Sequence, residues 1–339
     1  MRALLLLSLV ACTASSNGGQ KDAGVEPSDG GDALTPTDSA EPAADTTAPD
    51  VQATPDVPEV DLFEPEPDLV EPEPDIPVVV DEDQDDDGIP DGDDPYPSNG
   101  DMPGVVLKGK VYAHTDDQLF TMDVKTYKIT EVAPFTFDLT VDNNDVTDIA
   151  IDRYGVLTAV SYDELWRCHP GTAECQSVGT LPASFNALSW VPAGTIDPSN
   201  DVLIGVAGGD WFRLDAQDAT TYTATKIGNY GGGYQSSGDV YSLLGVGTYA
   251  SVNGLGVFSG DDMLVEVNPL TGQVVAEIGP LTGYGSVFGI AGWTSRAFAF
   301  DSSGAILVVD VKDGTIVKTI EDTGHKWWGA GVPTVVADE

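Results

Sequence analysis

The groups best suited to chemistry are concentrated in one stretch, residues 81–97. Asp83, Asp85 and Asp87 alternate along the chain, Gly88 follows, and Asp91 and Asp94 come three and six residues after it. Carboxylates at this spacing are hard oxygen donors for Ca²⁺, which takes six to eight oxygens at about 2.3–2.6 Å and needs Gly where the loop turns sharply. With Gly88 at the sixth loop position, Asp83, Asp85 and Asp87 fall at the first, third and fifth. The backbone carbonyl of Ile89 takes the seventh, Asp91 the ninth and Asp94 the twelfth. A register starting at Asp81 puts Asp86 where Gly belongs and fails. The competing reading is a charge run that is merely solvated.

Two further groups of residues bear on chemistry. Cys168 and Cys175 flank the turn 169–174 between two strand-like runs, so they face each other across a hairpin. A disulfide closing so small a loop contributes about 2–3 kcal/mol in the chain-entropy model. A metal-bound pair is the alternative, but no further Cys or nearby His completes a zinc set. His114, His169 and His325 are far apart and read as surface or loop residues. There is no Gly-x-Ser-x-Gly elbow, no His-Glu-x-x-His and no phosphate-binding Gly-Lys-Ser/Thr loop.

A short phrase repeated five times must position these groups. It reads Leu119-Phe120-Thr121-Met122-Asp123, Leu165-Trp166-Arg167-Cys168-His169, Trp211-Phe212-Arg213-Leu214-Asp215, Leu264-Val265-Glu266-Val267-Asn268 and Ile306-Leu307-Val308-Val309-Asp310. Each is an apolar run that mostly ends in a turn-forming residue, followed by a second strand. The intervals of 46, 46, 53 and 42 residues match the period of β-propeller blades. Four complete units of four strands can be drawn between residues 146 and 320. The unit at 105–132 lacks one strand, and the run 327–336 has no followers. Pairing the two closes the ring and removes open edges. The expected fold is all-β: a five-bladed propeller of four-stranded antiparallel sheets, with six blades as the alternative. The phrases at 267–272 and 309–314 resemble quinoprotein-like and YVTN-type propeller repeats, a resemblance over 105–336 that implies fold and little about activity.

Propellers usually bind on the face where loops lead into the innermost strands. The candidate face is Asn144, Asp145, Asn186, Ser237, Asp239, Tyr284, Trp327 and Trp328: aromatics beside small polar groups that suit a protein, peptide or glycan ligand. For the two tryptophans, packing between blades is the competing reading. Only Asp145 and Asp239 offer carboxylates at the channel mouth. The sequence therefore leans toward a binding or scaffold module. The alternative is a propeller enzyme of the lactonase-like hydrolase or quinone-dependent dehydrogenase type.

The N-terminal third has a different character. Of 56 acids, 27 lie in residues 13–104 beside a single Lys, and residues 105–339 carry 29 acids against 12 bases. No basic stripe exists to neutralise phosphates, which speaks against nucleic acid. Residues 12–80, rich in Pro and acids, cannot bury enough apolar surface to fold and read as a disordered tether. Such a chain reaches on the order of 200 Å when fully extended. Arg2 and the apolar run up to Ala11 suit an export signal, too short to span a bilayer. Leu9-Val10-Ala11-Cys12 resembles the lipobox of bacterial lipoproteins. That resemblance implies cleavage after residue 11, lipid on Cys12 and, with Thr13 next, delivery to an outer membrane. An ordinary signal peptide is the alternative. The acidic loop resembles a thrombospondin type 3 repeat over about 17 residues, which implies Ca²⁺ binding at 81–104. The propeller then occupies 105–339.

Overall fold

The structure is a computed structural model. It describes residues 82–86, 90–91, 97–98, 108–140, 144–218, 220–253 and 260–336. The chain divides after Pro74, and every described residue belongs to the second unit. The proposed leader, Cys12 and the tether lie outside the described residues, as do Asp87, Ile89 and Asp94.

Among the described residues there are strands and turns but no helix. The first blade holds β1 (Lys110–His114), β2 (Gln118–Asp123) and β3 (Ile129–Pro134). After β4 (Thr136–Phe137) come β5 (Asp148–Ile151), β6 (Leu157–Ser161), β7 (Glu164–Cys168) and β8 (Glu174–Thr180) of the second. The third has β9 (Ala187–Val191), β10 (Val202–Ala207), β11 (Asp210–Ala216) and β12 (Tyr222–Asn229). The fourth has β13 (Gln235–Leu243), β14 (Gly247–Asn253), β15 (Met263–Val267) and β16 (Val274–Pro280). The fifth has β17 (Val287–Trp293), β18 (Arg296–Asp301), β19 (Ile306–Asp310) and β20 (Ile316–Ile320).

The strand composition follows from where each strand lies. Inner strands such as β5 and β6 are buried along their whole length, whereas outer strands such as β12 and β16 alternate between half-buried and exposed. A strand covered on both faces must read as a continuous apolar run, and one covered on a single face as alternation. The acidic end of the repeated phrase makes the next turn. Asp123 accepts the backbone N–H of Thr126 at 2.8 Å, Asn268 that of Leu270 at 2.9 Å and Asp310 that of Lys312 at 3.0 Å, the side-chain-to-backbone bond that favours these residues in turns.

The ring closes as the repeat count requires. The last strand, β21 (Gly329–Gly331), pairs with β1 through Tyr112↔Gly331, Ala113↔Ala330 and His114↔Gly329. Five sheets result: four are four-stranded, and the second gains β4 in parallel with β8, an addition the repeat pattern did not reveal. Only three residues of the expected 327–336 run pair as a strand. Trp327 is 0% exposed and wedged between Phe120 and Phe300, with ring centroids 5.3 and 5.5 Å away. It is a core residue between the first and fifth blades, not part of a binding face.

Beyond β21 the chain leaves the sheet and crosses the far end of the channel. Pro333 bridges to Ile151 of the second blade. The Thr334 hydroxyl donates to Asp201 beside the third at 2.7 Å, and its carbonyl accepts the Leu244 N–H of the fourth at 2.8 Å. Val332, Pro333 and Thr334 are buried there.

Candidate functional site: the loop end of the propeller axis

The five inner strands meet at the axis in the same register. One backbone N–H from each blade points inward, and all five donate to two carboxylates. Ile149 and Leu188 donate to Asp148 at 2.8 and 2.6 Å. Val240, Ile290 and Ala330 donate to Asp239 at 2.5, 2.6 and 3.2 Å. The residues just before these donors are Asp148, Ala187, Asp239, Gly289 and Gly329. Two blades thus supply the carboxylates, and three supply small residues that leave room for them. A Cβ on Gly329 would crowd His114 Nε2 and lie 2.6 Å from Asp148 Oδ1, and one on Gly289 would lie 2.6 Å from the Gly329 carbonyl carbon.

Both carboxyls are 0% exposed. Burial holds each well above the ordinary carboxylate range, and for Asp148 the neighbouring Asp239 pushes in the same direction. His114 is also 0% exposed, which corrects its reading as a surface or loop residue. Its place at the end of β1, opposite Gly329, turns it toward the axis. Nδ1 bonds the Thr115 carbonyl at 2.7 Å, so Nδ1 carries the hydrogen and Nε2 a lone pair. Burial pulls the imidazole down to about 4. The 4.0 Å approach of Nε2 to Asp148 Oδ1 is therefore a contact with a neutral ring, not an ion pair.

Above this layer lies a recess of about 210 Å³ lined by Thr147, Asn186, Ser237, Gly238, Phe288 and Trp328, so that all five blades contribute. Trp328 and Phe288 are half-buried and Asn186 is exposed. The Thr147 hydroxyl is committed to the Val160 and Phe185 carbonyls, both at 3.1 Å. The Ser237 hydroxyl donates to Asp262 at 2.5 Å, and Asp262 also accepts the Val287 N–H at 2.8 Å. Burial raises Asp262 to about 6. A wider groove of about 860 Å³ between the fourth and fifth blades lies at the opposite end, near Leu244 and Lys312.

The structure thus brings Asn186, Ser237 and Trp328 together and separates them from the other expected face residues. Asp239 lies beneath the recess, sealed from solvent. Tyr284 sits to one side, its hydroxyl donating to Glu321 at 3.1 Å. Asn144 is exposed and Asp145 half-buried on the loop before Thr147, and neither lines the recess. Asp148, Thr147 and Phe288 were not foreseen. Aligning the five inner strands on their donor residues would have found all three.

Cys168 and Cys175 are disulfide-bonded across the β7–β8 hairpin, where they are register partners, so the metal-bound alternative falls. In the acidic loop, the Gln84 N–H donates to Asp91 Oδ1 at 2.7 Å and the Asp91 N–H to the Glu82 carbonyl at 2.7 Å. These bonds fold Asp91 back onto residues 82–84. Among the described residues there is no group of three or more His, Cys, Asp or Glu arranged to hold a metal, and three of the six expected calcium ligands lie outside them.

No protein-family model matches this chain, and no curated protein matches it. Solved structures are similar only distantly. A protein of unknown function from Bacteroides caccae is 9% identical, with 63% of this chain and 73% of that one covered and a TM-score of 0.35. The computationally designed Ika8 protein is 15% identical over 66% of this chain and 63% of its own, with a TM-score of 0.31. A symmetrical protein studied for its de novo evolutionary emergence is 14% identical over 67% and 99%, with a TM-score of 0.41. The class, a five-bladed β-propeller, stands on the strand pairing of this chain itself.

Proposed function

We propose that this chain is a lipid-anchored protein of the bacterial cell envelope, held at the outer membrane through Cys12. Residues 13–80 space its propeller from the membrane, and a Ca²⁺-binding loop at Asp83–Asp94 stiffens the joint. The propeller acts as a binding or scaffold module. The observation that carries the binding reading is the make-up of the loop end. The titratable groups on the axis are sealed and engaged with backbone, and the recess above them presents aromatic faces and small polar groups from all five blades. Such walls suit one sugar ring or one side chain of a glycan or peptide, held by stacking and a few hydrogen bonds. The lipobox-like Leu9-Val10-Ala11-Cys12 supports the anchor, and the return of Asp91 onto residues 82–84 supports the loop.

The test is a glycan and peptide array probed with the full chain and with W328A and F288A. Binding that both substitutions abolish supports the reading. Binding that survives them both places the ligand elsewhere. Incorporation of labelled palmitate in a bacterial host, lost in C12S, tests the anchor. Calorimetric titration with Ca²⁺, compared with D85N, tests the loop.

A further inference from the structure

The axial carboxylates carry a consequence that does not depend on what the recess binds. Two neighbouring carboxylates sealed from solvent cannot both hold full charge. Each of their four oxygens already accepts a backbone N–H, yet the two sets of donors are unequal. Asp239 takes three, from the fourth, fifth and first blades. Asp148 takes two, from the second and third. Three aligned N–H dipoles hold a negative charge better than two, so the charge belongs on Asp239 and the hydrogen on Asp148.

We infer that the axis is a site for a single proton, carried by Asp148 and donated to Asp239, and that this one hydrogen bond ties the second and third blades to the fourth, fifth and first. The two side chains face each other across β21: a Cβ on Gly329 would lie 2.6 Å from Asp148 Oδ1, and the next residue, Ala330, donates to Asp239 Oδ2. This brings the carboxyls within reach of a shared hydrogen and makes the chain of contacts continuous through all five inner strands. His114 from β1 faces the pair as a neutral ring. Tyr230, before β13, is raised first by burial and also by Asp239. From β9, β17 and β21 the donors are the backbone N–H groups of Leu188, Ile290 and Ala330. Among the described residues neither carboxyl has a Lys or Arg ion-pair partner, so losing the proton sets two carboxylates against each other. The weakest point is then β21, three residues long and held to Asp239 by the longest of the five bonds.

The two aspartates respond differently to amide replacement. In D148N the new NH₂ donates to Asp239 in place of the proton and cannot be lost with pH, at the cost of one acceptor for the Ile149 and Leu188 N–H groups. In D239N the NH₂ faces backbone donors. The experiment is thermal unfolding of the full chain from pH 5 to pH 9 for wild type, D148N and D239N, with EDTA and with Ca²⁺ or Zn²⁺. The pair binds its proton more tightly folded than unfolded. Its contribution is therefore complete below the ordinary carboxylate pKa and disappears as pH rises through the raised one. Wild type should lose ~3 °C or more per pH unit relative to D148N across that window. D239N should be the less stable variant at every pH. Infrared difference spectra at neutral pH should show a protonated-carboxyl band in wild type that is absent in D148N. Parallel pH profiles for wild type and D148N, no such band, or a D148N that does not fold would each overturn the proposal. A metal-dependent rise in melting temperature that both substitutions abolish would overturn it in favour of a cation site.

Discussion

The two ends of the propeller axis solve one problem in two ways. At the loop end, Asp148 and Asp239 are buried, have no Lys or Arg ion-pair partner among the described residues, and rely on five backbone N–H groups. At the far end, the Asp201 side chain is 6% exposed beneath the C-terminal crossing but has Arg153, whose Nε and Nη2 reach it at 3.0 and 2.5 Å. Asp201 also accepts the Ala193 N–H and the Thr334 hydroxyl. A guanidinium satisfies a carboxylate locally, here with two bonds that converge on Oδ1 and with an opposite charge. Backbone donors satisfy it only when several strands converge. The far end is therefore a local clamp that ties the C-terminal segment to the third blade, whereas the loop end requires the whole ring.

This contrast can be broken in order of expected effect. D239A should do the most damage, because it orphans three buried N–H groups from three blades. A loss of ~3–5 kcal/mol is expected, enough to unfold a marginal domain, and circular dichroism melting will show it. Reduction of the hairpin disulfide, or the double substitution C168S/C175S, should cost ~2–3 kcal/mol by chemical denaturation, with the ring otherwise intact. R153M should cost only ~1 kcal/mol, since the guanidinium is partly exposed and three other donors remain on Asp201. If R153M were as harmful as D239A, the distinction between a local clamp and a ring-wide one would fail.

The smallest effect concerns pH. Asp152 and Asp262 are held up to about 6 by burial. Each contributes stability that is complete below the ordinary carboxylate pKa and lost as pH rises through 6. His114, pulled down to about 4, works in the opposite sense. Its contribution is complete above the ordinary histidine value of 6.5 and lost as pH falls through 4. D262N should therefore flatten the fall in melting temperature between pH 4 and pH 6 by one proton's share, leaving the slope above pH 7 unchanged.

How much of this was legible in the residues depends on what kind of signal each feature leaves. The repeated apolar phrase and its turn residue are local, so blade number, ring closure and the Cys168–Cys175 bond followed from spacing. That Asn186, Ser237 and Trp328 line one recess followed from knowing which loops lead inward. The axis was harder. Asp148 and Asp239 lie 91 residues apart, and nothing near either one announces the other. Asp239 stood out as a polar residue near a loop and was placed at the mouth. Its next residue, Val240, already starts the buried inner run, and that is the sign that the aspartate belongs inside. His114 was misread for the same reason: it ends an apolar strand that would ordinarily emerge into solvent. Trp327 and Trp328 are adjacent, yet one fills the core and the other edges the recess, because successive side chains on an extended chain point opposite ways.

The pairing of Gly329 with His114 also sets a schedule for synthesis. The two partners are about 215 residues apart, so at ~5–20 residues per second the edge of β1 waits roughly 10–40 s for its neighbour. Over that interval Tyr112 and Ala113 present an unpaired, apolar margin on which any passing strand can settle. A ribosome that stalls short of residue 329 leaves an open horseshoe with a sticky lip, because β21 is the strand that covers the edge of β1.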